Sequence, residues 1–270
     1  MSLLKFLGSG SSFVSFDENY HSQMLLIQNI KDKTTNTLID AGSSISEALK
    51  FHNIPLEEID DILITHNHGD NVHGLEFIGF KTYFANMRKI KLISPAPILE
   101  TLWTHILSGT MKYLNGLTVS LSDYFVVCPT KPKEQIEIGN CRIQYIKVPH
   151  IITDNDEIPA YGISIHTKQN KKILITGDTQ FDYWRFAGFY ELYDCIFHDV
   201  EFADYPNGVH AQFHQMLKLP KEIRSKIWFY HYILNDKTYE ELQNDVIGAG
   251  FAGLVARGDV FDLNKTERVI

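Results

Sequence analysis

The stretch Asp61–Gly74, DILITHNHGDNVHG, crowds His66, His68, Asp70 and His73 into eight residues directly behind an apolar run. His66 and His68 are two apart, so on an extended segment both side chains point the same way and can grip one ion. Asp70 follows where Gly69 permits a tight bend toward a helix. Neutral imidazole nitrogen and carboxylate oxygen are ligands that borderline cations such as zinc accept. The apolar residues ahead of the cluster, Ile62 to Ile64, read as a buried strand, so the cluster sits at a strand end.

Working outward, ligand-type residues recur at the ends of other apolar runs. CRIQYIKVPH ends at His150, KKILITGDT at Asp178, DCIFHDVE at Glu201 and KIWFYHY at His231. Strand ends that share one edge of a sheet bring distant positions into one site. Upstream, LLKFLGSGSS, SQMLLIQ and NTLIDAGSS are short strands closed by turn chemistry. SISEALKFHNI has helical spacing, with Ser43 or Ser44 as its N-cap. YGISIHTK and KKILITGDT form a hairpin, and TYEELQNDVIGAG is an amphipathic helix closed by glycine. Strands and helices interleave along the whole length, which predicts one α/β domain over residues 1–270. Residues 95–132, rich in prolines and aromatics but weakly periodic, read as an insertion, a lid or an oligomer contact.

Composition narrows the function. The chain has 270 residues, 44% of them hydrophobic, enough for a substantial core. A net charge of −8 argues against a surface that holds folded nucleic acid by charge, but not against a small anion bound through a metal. Three widely spaced cysteines, Cys128, Cys141 and Cys195, form no CxxC pair and read as a reducing, cytoplasmic setting. The opening MSLLKFLGSGSSF is too short in apolar residues for a signal peptide, and no run approaches a membrane span. His21, His52, His105 and His166 read as packed or surface histidines.

THNHGDNVHG, with VPH (His150), TGDT (Asp178) and FYHY (His231) following in order, resembles the HxHxDH signature and later motifs of the metallo-β-lactamase superfamily. The resemblance runs from FLGSGSSF to WFYHY. It implies an αββα sandwich: two packed mixed sheets with helices outside and a metal site on one edge. It implies two divalent ions, zinc foremost, with His66, His68 and His150 holding the first, Asp70 and His231 the second, and Asp178 bridging. Asn71 stands where the family has its third histidine. A neutral amide oxygen is a poorer zinc ligand than imidazole, so a weaker, more oxygen-rich second site is expected, one that manganese or iron could fill. His73 is a possible substitute ligand.

FHDVEFADYPNGVHAQF is similar to the tRNase Z branch and related cyclic-nucleotide phosphodiesterases, where a glutamate and a later histidine flank the metals. The resemblance implies that His210, supported by Glu201, assists departure of the leaving oxygen, and that a metal-bound hydroxide oriented by Asp70 attacks phosphorus. His198 and Asp199 read equally as structural partners. No long arm for tRNA is found, so a small phosphodiester such as a cyclic nucleotide is the expected substrate. Phe181, Tyr183, Trp184 and Tyr205 are candidates to stack on its base. A homodimer is implied by the resemblance. The other readings are a hydrolase of lactones, thioesters or lactams, an RNA-processing endonuclease of tRNase Z type, and a catalytically degenerate binding protein, which the loss of histidine at 71 motivates.

Overall fold

Alternation within the strands decides the layering. In the strand Gln23–Ile30, Leu25 packs on one face and Met24 and Leu26 on the other; in Lys33–Ile39, Leu38 and Ile39 divide in the same way. Such strands bury both faces, and their sheet therefore lies between two layers. The computed structural model describes residues 1–31, 33–203 and 208–270, with backbone alone at 184–187.

The strands run in chain order β1 (Ser2–Gly8), β2 (Gln23–Ile30), β3 (Lys33–Ile39), β4 (Asp61–Leu63), β5 (Lys91–Pro95), β6 (Tyr113–Leu114), β7 (Leu117–Thr118) and β8 (Val126–Thr130). They continue as β9 (Gln135–Ile138), β10 (Cys141–Lys147), β11 (Tyr161–Thr167), β12 (Lys172–Ile175), β13 (Cys195–Asp199), β14 (Ile227–Tyr230), β15 (Gly253–Leu254), β16 (Val260–Asp262) and β17 (Glu267–Arg268). The first sheet has the order β17-β16-β1-β2-β3-β4-β5-β8 and the second β15-β14-β13-β12-β11-β10-β9. Each sheet is antiparallel over one part and parallel over the other: β3, β4, β5 and β8 run parallel, as do β12, β13, β14 and β15.

The two sheets meet face to face through Leu4, Phe6, Met24, Leu26, Ile39 and Leu63 from the first and Ile143, Ile163, Ile165, Ile173, Ile175 and Phe197 from the second. Phe6 and Phe197 lie with ring centroids 5.2 Å apart, tying the layers at the centre. The outer face of the first sheet is covered by α1 (Ile45–Phe51), α2 (Gly69–Val72) and α3 (Gly74–Phe84), with Ile45, Ala48, Leu75 and Ile78 buried. The helix Tyr239–Gly248 covers the second through Leu242 and Val246. This is the αββα sandwich that the family resemblance implies.

Local departures have physical reasons. Ser44 occupies the N-cap of α1, but its hydroxyl makes no cap; it accepts instead from His21 N and Gln23 Nε2, so it ties the helix to the strand bearing Gln23. Thr238 does cap its helix, in a reciprocal pair with Glu241. Residues 95–132 open with a helical stretch, Ala96–Met111, that passes through a π turn at Leu102–Leu107. A small β6–β7 hairpin follows, and the segment then returns as β8 to pair with β5 at the sheet edge.

Candidate metal centre

The carboxyl ends of the parallel strands share one edge, where α/β sheets place their ligands. β4 runs out into His66, His68 and Asp70; β10 leads to His150, β12 to Asp178, β13 ends on Asp199, and β14 leads to His231. Two glycines make the approach possible. A Cβ on Gly42 would stand 1.8 Å from the Asp70 carbonyl oxygen. Gly177, at φ +62°, turns the chain after β12, and a Cβ there would stand 2.6 Å from the Tyr161 carbonyl oxygen. His231 itself is in the left-handed region, φ +61°, with its N–H donating to Ser9 O at 2.8 Å. For a non-glycine residue that conformation costs about 1 kcal/mol, strain of the kind held at functional sites.

The side chains converge. His68 Nδ1 lies 3.1 Å from both His66 Nε2 and His150 Nε2. Asp178 Oδ2 lies 3.5 Å from His66 Nε2, 3.9 Å from His150 Nε2 and 3.4 Å from His231 Nε2. Donors bound tetrahedrally at about 2.0–2.1 Å from one ion stand roughly 3.3 Å apart, the scale of these separations. His66, His68, His150 and Asp178 thus form one group whose ligand atoms lie within 4.8 Å of each other. Asp178, His210 and His231 form a second such group, with Asp70 Oδ2 at 3.8 Å from His231 Nε2.

The donor chemistry fits a divalent cation. Asp70 Oδ2, Asp178 Oδ2 and both ring nitrogens of His231 are buried without a hydrogen-bond partner among the described residues. Such groups are costly unless something else satisfies them. Burial, then the surrounding histidines, holds His66 well below the usual histidine range. Burial takes His150 down to about 4 and His231 to about 3. These imidazoles are neutral, and their lone pairs are free for a metal. Burial also pushes the Asp178 carboxyl well up; His210 opposes this, and Asp70, Asp199 and Asp40 add to it.

A second layer sets ring orientation. His66 Nδ1 meets Thr65 Oγ1 at 3.1 Å, and that hydroxyl donates to Asp40 Oδ2 at 2.8 Å, leaving His66 Nε2 for the site. His150 Nδ1 donates to Val209 O at 2.9 Å. Asn71 Nδ2 donates to the same Asp40 Oδ2 at 3.1 Å, while Asn71 Oδ1 is buried with no partner among the described residues. Asn71 is therefore tied into the network that orients His66.

Three expected roles need correction. The carboxylate on His210 is that of Asp199: its Oδ2 lies 2.8 Å from His210 Nδ1, and Thr179 N donates to it at 3.1 Å. Glu201 instead accepts from Ala203 N through Oε1 at 2.8 Å. The reason is that β13 ends at Asp199, so its last inward side chain is the one at the sheet edge. Burial works against the charge on Asp199, but His198 and His210 outweigh it and hold the carboxyl far below its usual range. Burial works against the charge on His210 as well, yet Asp199 and Asp178 raise it to about 9. His73 is exposed and packs over Gly69, outside both ligand groups. Phe181 and Tyr183 pack against the core on the outer face of the second sheet. Tyr205 and the Trp184 side chain lie outside the described residues.

Solved structures share this architecture over nearly the whole chain. The metallo-β-lactamase fold protein YhfI from Bacillus subtilis superposes with a TM-score of 0.70 at 17% identity, covering 96% of this chain and 98% of that one. A diphosphatase of the PhnP family gives 0.71 at 18%, covering 97% and 98%, and yeast PDE1 gives 0.67 at 13%, covering 96% and 99%. The fold is the metallo-β-lactamase fold, and its His/Asp cluster is one that could hold a divalent metal. More narrowly, the chain belongs to the family of the anti-Pycsar protein Apyc1, whose profile matches residues 2–261. Relatives named anti-Pycsar protein Apyc1 include one from Bacillus phage BSP38, 30% identical over 238 residues, which cover 85% of this chain and 88% of that protein. Another, from Paenibacillus sp. (strain J14), is 32% identical over 232 residues, with 85% and 88% covered.

Proposed function

We propose that this protein is a phosphodiesterase that opens a small phosphodiester, a cyclic nucleotide being the substrate class the site fits best. The observation that carries the reading is the pairing of His210 with the fully buried Asp199 beside Asp178 and His231. Cleaving a phosphodiester expels an alkoxide, a poor leaving group that needs a proton. A histidinium kept charged by a buried carboxylate is suited to give one.

His66, His68 and His150 would hold one cation, Asp70 and His231 a second, with Asp178 shared. We assign zinc to the first; the second, where Asn71 replaces an imidazole, is oxygen-rich enough for manganese. When bound, the pair lowers the pKa of a water and neutralises charge on the phosphate oxygens. The chain supplies the rest. Asp199 fixes the His210 ring through Nδ1, which turns Nε2 toward the leaving ribose oxygen. Thr179 N and His198 hold Asp199 in place. Asp40 and Thr65 keep His66 in the tautomer whose Nε2 is unprotonated.

The test is turnover by the metal-loaded protein of cyclic mononucleotides, cyclic dinucleotides, precursor tRNA, a lactone and nitrocefin, beside His68→Ala and His210→Ala. Hydrolysis of cyclic mononucleotides that both substitutions abolish supports the reading. Turnover of the lactone or nitrocefin that His210→Ala leaves intact overturns it.

A further inference from the structure

Two polar side chains lie behind Asp199 in an apolar layer. Successive side chains of a strand point to opposite faces. β13 therefore sends Phe197 into the seam between the sheets, and Ile196 and His198 to the outer face. His198 has no exposure to solvent; its ring centroid lies 5.6 Å from that of Tyr190 and 6.4 Å from that of Phe229. Tyr190, at the end of the helix Tyr183–Tyr190, is buried as completely. An apolar pair would fill this layer without the cost of burying a hydroxyl and an imidazole. The hydroxyl of Tyr190 has no part in the chemistry above.

Hydrogen-bond direction gives the pair a task. His198 Nδ1 lies 2.7 Å from Asp199 O and 3.2 Å from Asp199 Oδ1. A carbonyl and a carboxylate only accept, so Nδ1 carries the proton. Nε2 lies 2.6 Å from Tyr190 Oη. Burial, with Asp199 adding to it, pushes the Tyr190 phenol well up, so the O–H is retained and donates. An imidazole that accepts at Nε2 keeps its single proton on Nδ1. The phenol thus selects the tautomer that faces Asp199.

Asp199 in turn divides its oxygens. Oδ1 faces His198, and Oδ2 lies 2.8 Å from His210 Nδ1. In the opposite tautomer a bare Nδ1 would meet two acceptors, and their repulsion would turn the carboxylate off His210.

Resting on the phosphodiesterase reading above, we propose that Tyr190 is a positioning residue for that reaction, acting through His198 and Asp199 on the ring of His210. Two side chains stand between its hydroxyl and His210, and its own proton stays in place throughout.

The experiment measures kcat and KM for the 3′,5′-cyclic monophosphates of adenosine and cytidine and for bis(p-nitrophenyl) phosphate. The proteins are metal-loaded wild type, Tyr190→Phe, His210→Ala and the double variant. Tyr190→Phe keeps the ring and its packing and removes only the hydroxyl. It should lower kcat for the cyclic nucleotides about tenfold with KM within twofold. Turnover of bis(p-nitrophenyl) phosphate, whose leaving group needs no proton, should stay within twofold. In the His210→Ala background the same substitution should change nothing further. A hydroxyl that merely stabilised the fold would lower both kinds of substrate alike, in both backgrounds.

Nitrogen-15 spectra of histidine-labelled protein read the tautomer without turnover. Wild type should show His198 protonated on Nδ1 alone, and Tyr190→Phe should lose that single form. If both hold while no cyclic nucleotide is hydrolysed, the Tyr190–His198 arrangement stands and the function above fails. If cyclic nucleotides are hydrolysed while Tyr190→Phe keeps kcat within twofold, or loses as much without His210 as with it, the function stands and the role of Tyr190 is overturned.

Discussion

Asp199 Oδ2 lies 2.8 Å from His210 Nδ1, and the carboxylate that makes this contact has no exposure to solvent. A fully buried anion whose partner is a half-open imidazole orients that ring and keeps it charged. Asp199→Asn should therefore lower kcat for every cyclic nucleotide by about 10²–10⁴, the range for losing a positioned proton donor. Bis(p-nitrophenyl) phosphate releases a phenolate that needs no proton. Its turnover should fall by less than tenfold in His210→Ala and Asp199→Asn. Equal losses on both substrates would show that His210 does not protonate the leaving group.

Asp178 is strained by its neighbours in the absence of a cation. Burial, with Asp70, Asp199 and Asp40 nearby, disfavours its charge despite His210. Asp178→Asn should leave the chelator-treated protein as stable as wild type or more so. Wild type should gain about 4 kcal/mol at a metal concentration a thousandfold above Kd, roughly 10 °C in Tm, and the variant almost none of it. Thermal melts with and without chelator check both statements.

Asn71 ties its amide to Asp40, which in turn holds Thr65. Asn71→Ala removes a donor from a buried carboxylate and should cost about 1–3 kcal/mol in denaturant melts of the chelated protein. Asn71→His loses the same bond but offers an imidazole. Elemental analysis of zinc-loaded protein should then show more zinc per chain than in wild type.

The thiols should differ sharply. Burial pushes Cys195 up to about 12 and raises Cys141 as well, whereas Cys128 is only partly buried. A raised thiol pKa leaves almost no thiolate at pH 8, and reactivity recovers only as pH climbs toward the raised value. Titration of the native protein with a disulfide reagent at pH 8 should label Cys128 rapidly and the other two only after unfolding.

The histidine cluster could be read in one dimension because β4 is short and buried, so HxHxD follows it with little freedom. His150, Asp178 and His231 were legible for the same reason: each comes just after an apolar run. Asp199 was harder to see, since it and Glu201 share a strand face and only the exact end of β13 separates their roles. The bond from Asp40 to Thr65 spans 25 residues of chain and leaves no local trace. Nor does any sequence pattern tell that Phe13 sits in solvent while Phe181 packs half-buried against the outer face of the second sheet. Exposure depends on what the rest of the fold brings near.

His66, His68 and Asp70 issue from the first sheet, and His150, Asp178 and His231 from the second. Two cations shared among these six would act as rivets through the seam. A nascent chain would have no complete pocket until its later strands docked, and β16, which crosses back to pair with β1, would be the latch. Cut between β8 and β9, the two pieces would be catalytically silent apart and competent again once reunited.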